Sequence, residues 1–442
     1  MVKRQQFLAA LCALLFLTIT ASGGERISVE TFDPDFPAGD CNYHSITAAS
    51  DGRIYFTVSV HHIDHAAILY QFDPKSETIR NLGNMTAACG EKLGINIPQG
   101  KVHTPLYEYR GKLFFSTHLS WYRDGLPNPD SQGRGPYSGG RFMAYDLETG
   151  TYHAYPGTYK AEGIIGMTMD LQRGILYGIT WPGAHLVTMD LANEQFRYWG
   201  PTQGDGEWDQ DANFQKVCRT LGVDSAGNCW GSTADGRIWR FNARTDREIT
   251  YLEQISLKNL LPEDRRKQDG WFNWRTIRWD DRAQGFHGVL WQDGTAFLFK
   301  PSPKPTLKKT ADAQPVLIKT GKPGTAQLGY LLQEDGHALY LAHGDPLIIP
   351  GQQDLQSQVY LMEIDREGTV ENHGPLMTTD GRRVFFTESL EQGPDGRLYS
   401  VAWVETVDPA RRATIQRIRG NATPDETAGV VYEMLLVRFS AP

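Results

Sequence analysis

The sequence predicts an all-β fold, a seven-bladed β-propeller with four-stranded antiparallel blades. Three observations predict it. Short stretches of alternating apolar and polar residues, separated by glycine-rich turns, dominate the chain. They recur as similar units at a period of roughly 40–55 residues, which is typical of propellers. Long helical patterns are almost absent.

Each predicted unit contains a strand, a turn with glycine, a strand rich in aromatic residues, a third strand ending near an acidic residue, and a final polar strand. Seven units follow in order, at residues 41–82, 101–156, 163–200, 216–252, 273–300, 326–375 and 385–439. Arg26–Phe32 has a β-like pattern, so we expect it to complete the last blade and leave no open sheet edge. Pro262–Gln268 predicts a short helix, because acidic residues follow its first proline.

The N-terminus has the pattern of a secretory signal peptide, which we predict at residues 1–23. Lys3 and Arg4 precede an apolar run, Phe7–Ile19, and small residues follow it at 21–23. That run is short for a membrane span, and no later segment is long and apolar enough to cross a bilayer. We therefore expect a secreted or periplasmic protein with no membrane span, whose residues 24–442 form one propeller domain.

Net charge and cysteine content indicate which binding partners the protein can have and whether its cysteines form disulfides or a metal site. A net charge of −8 argues against nucleic acid as a partner, since phosphate binding needs a basic surface. Four cysteines remain after the predicted signal peptide. In an oxidising compartment they would pair most simply as Cys41–Cys89 and Cys218–Cys229, although the sequence does not fix the pairing. The absence of a Cys-x-x-Cys spacing favours a structural role over a metal site.

A ring of ionisable residues is predicted at one rim of the central channel. Counting eight residues back from each turn glycine reaches the start of the first strand, which lines the channel of a propeller. This count, with unit five aligned on its Trp-Arg-Thr sequence, selects His44, His103, Arg219, Arg275 and Glu388. Counting seven residues forward reaches the end of the second strand, and selects His118, Trp181, His343 and Trp403. Core positions are normally apolar, so this convergence favours a functional site, although polar channel residues also bind water.

These residue types suit an anionic substrate. An arginine binds a carboxylate through two hydrogen bonds, and the neutralised carboxylate acidifies the hydrogen on the adjacent carbon. A histidine can accept that proton, and a second acid can protonate the leaving oxygen. This reaction is β-elimination on a uronic acid. Flat rings for sugar binding are available from Trp181, Trp403, Trp121 and Tyr122.

The hairpin with the two histidines also resembles a known family. Residues 101–104 (Lys-Val-His-Thr) and 111–118 (Gly-Lys-Leu-Phe-Phe-Ser-Thr-His), together with 165–170 and 176–183, resemble the seven-bladed propeller polysaccharide lyases, in particular the ulvan lyases and more distantly the oligogalacturonate lyases. The resemblance implies a histidine pair near the scissile bond and an arginine that neutralises the uronate. It also implies a tyrosine that acts as base and acid shortly before that arginine. Residues 200–215 contain no tyrosine, and the substitutes are Tyr122, Tyr177 and Tyr330.

The sequence thus predicts an exported lyase that cleaves a uronic-acid-containing polysaccharide or oligosaccharide at this rim. The catalytic residues so assigned are His103, His118, Arg219, Arg275 and Tyr177, and the substrate-binding residues are His44, Trp181, His343, Glu388, Trp403 and Tyr122. The alternative is a non-catalytic propeller that binds glycan or protein. No cofactor is firmly predicted, but a divalent metal held by His44, His103, His118 and His343 stays open. A further cluster, His61, His62 and His65, is either a metal site or a solvated loop.

Overall fold

The computed structural model of the protein describes residues 26–120, 133–158, 162–208, 216–267, 271–291, 294–312, 329–342, 358–419 and 431–442. Strands make up most of the regular structure in these ranges. None of the helices found there is long and apolar enough to cross a membrane. The prediction of an all-β chain is confirmed.

Five separate sheets contain four strands each, and each sheet is built from consecutive strands that pair antiparallel, as in β10–β13. Their strands are β2 Ile46–Ala48, β3 Ile54–Val58, β4 Ile68–Asp73 and β5 Thr78–Asn84; β6 Tyr107–Tyr109, β7 Lys112–Ser116, β8 Arg141–Asp146 and β9 Tyr152–Gly157; β10 Gly163–Asp170, β11 Ile175–Trp181, β12 His185–Asp190 and β13 Gln195–Pro201; β14 Gly222–Val223, β15 Cys229–Ser232, β16 Arg237–Phe241 and β17 Thr250–Ser256; and β18 Trp274–Asp280, β19 Gly285–Leu290, β20 Thr295–Lys300 and β21 Thr306–Asp312. The prediction of four-stranded antiparallel blades is confirmed.

A sixth sheet contains nine strands, because the N-terminal strand β1, Ile27–Phe32, joins two groups of four. One group is β22 Tyr330–Leu332, β23 Ala338–Ala342, β24 Tyr360–Ile364 and β25 Val370–Thr378, and the other is β26 Val384–Thr387, β27 Glu391–Gln392, β28 Leu398–Glu405 and β29 Tyr432–Phe439. Strand β1 pairs antiparallel with β29 through Glu30–Phe32, and parallel with β25 through Ile27–Val29. The N-terminal segment therefore pairs with the last strand of the chain, as predicted, and also reaches the preceding group. The number of blades stays a prediction.

Helices are short insertions between strands. They are α1 Met85–Ala88, a 3₁₀ helix at Leu257–Leu260, α2 Glu263–Arg266 and α3 Pro409–Arg419. The predicted helix after Pro262 is α2, and it is shorter than expected, with the proline just before its first residue. The sequence analysis did not predict α3, which lies between β28 and β29. Ile415 is its buried side chain, so its apolar face is too narrow to give a helical pattern.

The turn glycines fix which strand ends share a rim. Gly52 and Gly111, at the turns between first and second strands, have φ values of +81° and +74°. Residues other than glycine rarely adopt this conformation. Because the strands are antiparallel, each first strand begins and each second strand ends at the rim opposite these turns. Residues eight positions before and seven positions after a turn glycine therefore lie at the same rim.

The four cysteines of the described chain are buried free thiols. The suggested Cys41–Cys89 and Cys218–Cys229 disulfides are therefore absent, and that expectation is corrected. Each thiol has its own surroundings: Cys89 Sγ lies 3.6 Å from the sulfur of Met143, and Cys218 Sγ lies 3.0 Å from the carbonyl oxygen of Thr220. Three of them pack in the cores between sheets as small apolar side chains, whereas Cys41 lies beside His61.

Candidate functional site

Two histidines meet at the rim opposite the turn glycines. The backbones of Lys101 and His118 pair across the hairpin, with N–H to carbonyl distances of 3.0 and 2.8 Å. This pairing brings the imidazole rings of His103 and His118 to a centroid distance of 6.3 Å, nearly perpendicular to one another. We call this region, with Tyr43 and His44 on the neighbouring strand start, the histidine rim.

A tyrosine that the sequence analysis missed lies directly against this pair. The ring of Tyr43 stacks on His103 at 3.9 Å, with an angle of 18° between the planes. Its hydroxyl lies 3.3 Å from Nε2 of His61, whose Nδ1 is 3.1 Å from Oδ1 of Asp40. The counting rule took one position per unit and selected His44, so it passed over the residue immediately before it. Tyr43 is partly exposed, whereas His103 beneath it is buried.

Burial and nearby cations favour the neutral form of the rim histidines. Among the described residues, Nδ1 of His103 and of His118 has no hydrogen-bond partner, and the His44 ring is close to the backbone of His103. Burial lowers the pKa of all three well below the ordinary value, and nearby cations lower it further. Those cations include Arg278 at His44, Arg219 at His103 and Lys101 at His118.

Arg219 is held by an acidic residue that the sequence analysis did not select. Its guanidinium donates to both carboxylate oxygens of Glu207, at 3.0 and 3.1 Å. The carboxylate also accepts the indole N–H of Trp181 and the backbone N–H of Val217, each at 2.6 Å. Glu207 lies in the irregular loop after β13, where no repeat position marks it. The positive charge of Arg219 is thus compensated within the protein.

Arg275 and Glu388, which the counting rule selected separately, form a buried ion pair with one another. The guanidinium also lies 3.7 Å from the centre of the Trp291 ring. In this structure both predicted uronate-binding arginines are therefore paired with a carboxylate of the protein. A substrate carboxylate would have to compete with Glu207 or Glu388 for them.

Two of the three predicted sugar-stacking tryptophans, Trp181 and Trp403, are buried, and their assignment is corrected. Trp181 is 1% exposed and lies edge-on to His118 at 5.4 Å. Trp403 is stacked on Tyr432 at 4.1 Å, and its indole N–H donates to the backbone carbonyl of Asp40 at 2.8 Å. Their faces are covered by other side chains, so both indoles position rim residues instead of presenting a flat surface to a sugar.

Tyr177 lies away from the histidine rim. Its hydroxyl donates to the carbonyl of Gly227 at 3.1 Å and accepts the N–H of Ala243 at 3.2 Å. Gly227 is a turn glycine, so this hydroxyl belongs to the opposite rim. Burial also raises the pKa of Tyr177. We correct its assignment as a catalytic residue to a structural one. Tyr122, Trp121 and His343 lie outside the described residues.

The channel below the rim contains a cavity of about 290 Å³. His44 lines it at the rim side, and Tyr107, Arg278, Tyr330 and Glu391 line its wall. Burial raises the pKa of the Glu391 carboxyl to about 7, against the opposing effect of Arg278. Tyr330, a substitute for the missing tyrosine in the sequence analysis, therefore faces the channel and not the His103–His118 pair.

Comparison with known proteins identifies the fold. No protein-family model matches the chain, and no curated protein matches its sequence. A catalytically inactive virginiamycin B lyase from Staphylococcus aureus, solved with quinupristin, is similar over 94% of this chain and 100% of its own, with a TM-score of 0.55 and 8% identity. The RRP9 WD40 repeats match 93% of this chain and 97% of theirs, with a TM-score of 0.54 and 9% identity.

The Cps50 (Swd1) β-propeller domain of Myceliophteria thermophila matches 94% of this chain and 100% of its own, with a TM-score of 0.51 and 10% identity. The chain is a β-propeller. At such low identity the likeness of this propeller to solved structures shows the fold alone. The comparisons give no specific support for ulvan lyases or oligogalacturonate lyases, so that resemblance stays a prediction.

Proposed function

We propose that this propeller is an exported lyase that cleaves a uronic-acid-containing polysaccharide by β-elimination at the histidine rim. The observation that carries the proposal is the chain of contacts from Asp40 through His61 to Tyr43, which ends against His103. A carboxylate, an imidazole and a hydroxyl in this order form the arrangement that activates a hydroxyl for proton transfer. It also provides a tyrosine at the rim, the residue type that the family resemblance requires.

In this proposal Tyr43 removes the proton on the carbon next to the uronate carboxylate. His61 accepts the hydroxyl proton at Nε2, and Asp40 holds its Nδ1–H. Negative charge then develops on the carboxylate, and Lys101, whose charge already helps to depress the pKa values of His103 and His118, stabilises it. The proton returns through Tyr43 to the leaving glycosidic oxygen, and an unsaturated uronate remains.

The test is product formation by purified protein that lacks residues 1–25, on a panel of ulvan, pectin, rhamnogalacturonan and glycosaminoglycans. Ultraviolet absorbance of the unsaturated product reports elimination. Tyr43→Phe removes the transferred proton and keeps the stack on His103, so we expect kcat to fall by about 10²–10⁴-fold.

Tyr177→Phe is the matched control, because it also deletes one hydroxyl but at the opposite rim. We expect it to retain activity and to lose about 1 kcal/mol of stability with its hydrogen bonds. A folded protein that yields no product on any substrate, or an active Tyr43→Phe variant, would contradict the proposal.

A second function, non-catalytic glycan or protein binding, is favoured by one specific observation. Arg219 and Arg275 are both compensated by buried carboxylates, so neither guanidinium stands ready for a substrate carboxylate. A propeller that binds a ligand at this rim without catalysing a reaction would have the same arrangement of side chains. Glycan-array binding by wild-type protein that makes no unsaturated product would favour this function.

A further inference from the structure

We propose that Asp40, Cys41 and His61 form a site for one divalent transition metal ion of the zinc class. The three side chains come from two neighbouring segments at the outer part of the histidine rim. A carboxylate oxygen, a sulfur and an imidazole nitrogen lie within 4.8 Å of one another there. Carboxylate, thiolate and imidazole are the three ligand types that zinc uses in proteins. The site differs from the His44, His103, His118 and His343 set considered in the sequence analysis.

The distances between the ligand atoms match a tetrahedral ion. Bonds of about 2.0 Å to nitrogen and oxygen and about 2.3 Å to sulfur place N and O about 3.3 Å apart, and S and N about 3.6 Å apart. Nδ1 of His61 is 3.1 Å from Oδ1 of Asp40 and 3.6 Å from Sγ of Cys41. The side chains would therefore need only small movements to bind. Without a metal the Cys41 thiol makes a hydrogen bond with Nδ1 of His61, and a bound ion would take the place of the thiol proton.

The backbone around the site is held in place before any ion binds. The carbonyl of Asp40 accepts the indole N–H of Trp403 at 2.8 Å, and the backbone of Cys41 pairs with Ser59. The backbone N–H of His61 donates to Oδ2 of Asp40 at 2.9 Å. Preorganised ligands lose little conformational entropy on binding, which favours affinity.

Charge and access are compatible with an ion. Burial opposes ionisation of the Asp40 carboxyl, but His61 and Arg419 together bring its pKa down to about 2. Burial, with Asp40, raises the pKa of the Cys41 thiol, while Lys101 opposes that rise. Binding must therefore release the thiol proton to solvent as the metal–sulfur bond forms. The His61 side chain is 27% exposed, which leaves a route for the ion and a position for a water ligand.

The ion would also fix the state of the neighbouring tyrosine. A metal on Nδ1 requires the hydrogen of neutral His61 to be on Nε2, so His61 would donate to the Tyr43 oxygen at the observed 3.3 Å. That donation stabilises the Tyr43 phenolate, so with the ion bound the phenol proton passes to solvent, because Nε2 of His61 then no longer accepts it as in the metal-free mechanism. This last consequence rests on the proposed lyase function, whereas the metal site itself does not.

The experiment is titration of metal-free, reduced protein with Co²⁺, followed by its absorption spectrum. We expect one ion per chain, with a thiolate-to-cobalt charge-transfer band in the near ultraviolet and tetrahedral d–d bands in the visible. Cys41→Ser should abolish the charge-transfer band. Cys89→Ser is the matched control, because Cys89 is also a buried free thiol but contacts Met143 and is not part of the Asp40, Cys41 and His61 cluster, so it should leave the spectrum unchanged.

A second variant keeps the test decisive if Cys41→Ser fails to fold. His61→Gln replaces a partly exposed side chain and removes one proposed metal ligand. Loss of a residue that only hydrogen-bonds to a metal ligand weakens metal binding by about 10–100-fold. We expect His61→Gln to weaken Co²⁺ binding by more than that. Folded wild-type protein that shows no charge-transfer band, or a Cys41→Ser variant that keeps it, would overturn the proposal. Because the spectrum needs no substrate, this result is independent of whether the protein proves to be a lyase.

Discussion

His44, His103 and His118 place three imidazoles in a buried part of the propeller. Burial is the main cause of their low pKa values, and the arginines and Lys101 around them add to it. Each ring therefore favours its neutral form in the folded protein. In the unfolded chain the same rings would titrate at the ordinary histidine pKa of about 6.5.

This difference predicts acid destabilisation. As the pH falls below about 6.5, the unfolded chain takes up protons that the folded protein does not, so the free energy of unfolding falls. The expected slope is about 1.4 kcal/mol per pH unit for each such histidine, and it ends where the folded rings begin to titrate. Urea unfolding at a series of pH values between about 7 and 5 measures it.

The variant His44→Gln should reduce that slope by the contribution of one histidine, because the His44 ring is buried and its pKa is lowered in the folded protein. His153→Gln replaces an exposed histidine and should leave the slope as it is. A stability that does not change over this pH range would show that the rim histidines are solvated in solution.

At the scale of secondary-structure elements, strand starts and the loops beside them build the site together. The segments that lead into the first strands β6 and β14 supply positions that recur with the turn glycines, namely His103 and Arg219. The loops supply their partners, Glu207 after β13 and Asp40 before β2. Because loop residues have no fixed place in the repeat, a counting rule finds the first group and misses the second.

The buried Glu207–Arg219 ion pair predicts a large loss of stability when the charge of Glu207 alone is removed. Glu207→Gln removes the carboxylate that binds the buried Arg219 guanidinium through two hydrogen bonds, and it weakens the hydrogen bonds from Trp181 and Val217. We expect the free energy of unfolding to fall by about 3–5 kcal/mol. Chemical denaturation followed by tryptophan fluorescence would measure it.

Glu263→Gln is the control, since it removes a carboxylate from an exposed pair with Lys267 on α2. We expect no measurable change, because solvent screens exposed ion pairs. Equal effects of the two variants would contradict the view that Glu207 is a central support of the rim.

At the scale of the whole molecule, the first strand holds together the last two groups of strands. Val29 in β1 is fully buried, and Glu30 binds Arg438 of β29 at 2.5 Å. Strand β1 thus connects distant parts of the sequence through one sheet. The ring therefore has no free edge between β25 and β29.

A protein that begins after Phe32 should lose this closure. We expect its free energy of unfolding to fall by about 3 kcal/mol, since Val29 no longer fills the core, the pairing of β1 with β25 and β29 is lost, and Arg438 keeps only Glu77 of its two carboxylate partners. A protein that begins at Arg26 retains β1 and is the control. Equal unfolding midpoints for the two would show that β1 does not contribute to the stability of the fold.

The sequence by itself determined the all-β class, the four-stranded antiparallel blades and the segment that joins the last strand, because strand periodicity and turn chemistry are local properties of the chain. It also brought His103 and His118 to one rim, since a hairpin fixes its own register. Only the tertiary structure decided which side chains face each other across segments far apart in sequence. Tyr43 against His103, Glu207 on Arg219, and Cys41 beside His61 depend on how loops pack between blades, and no periodic pattern encodes that packing.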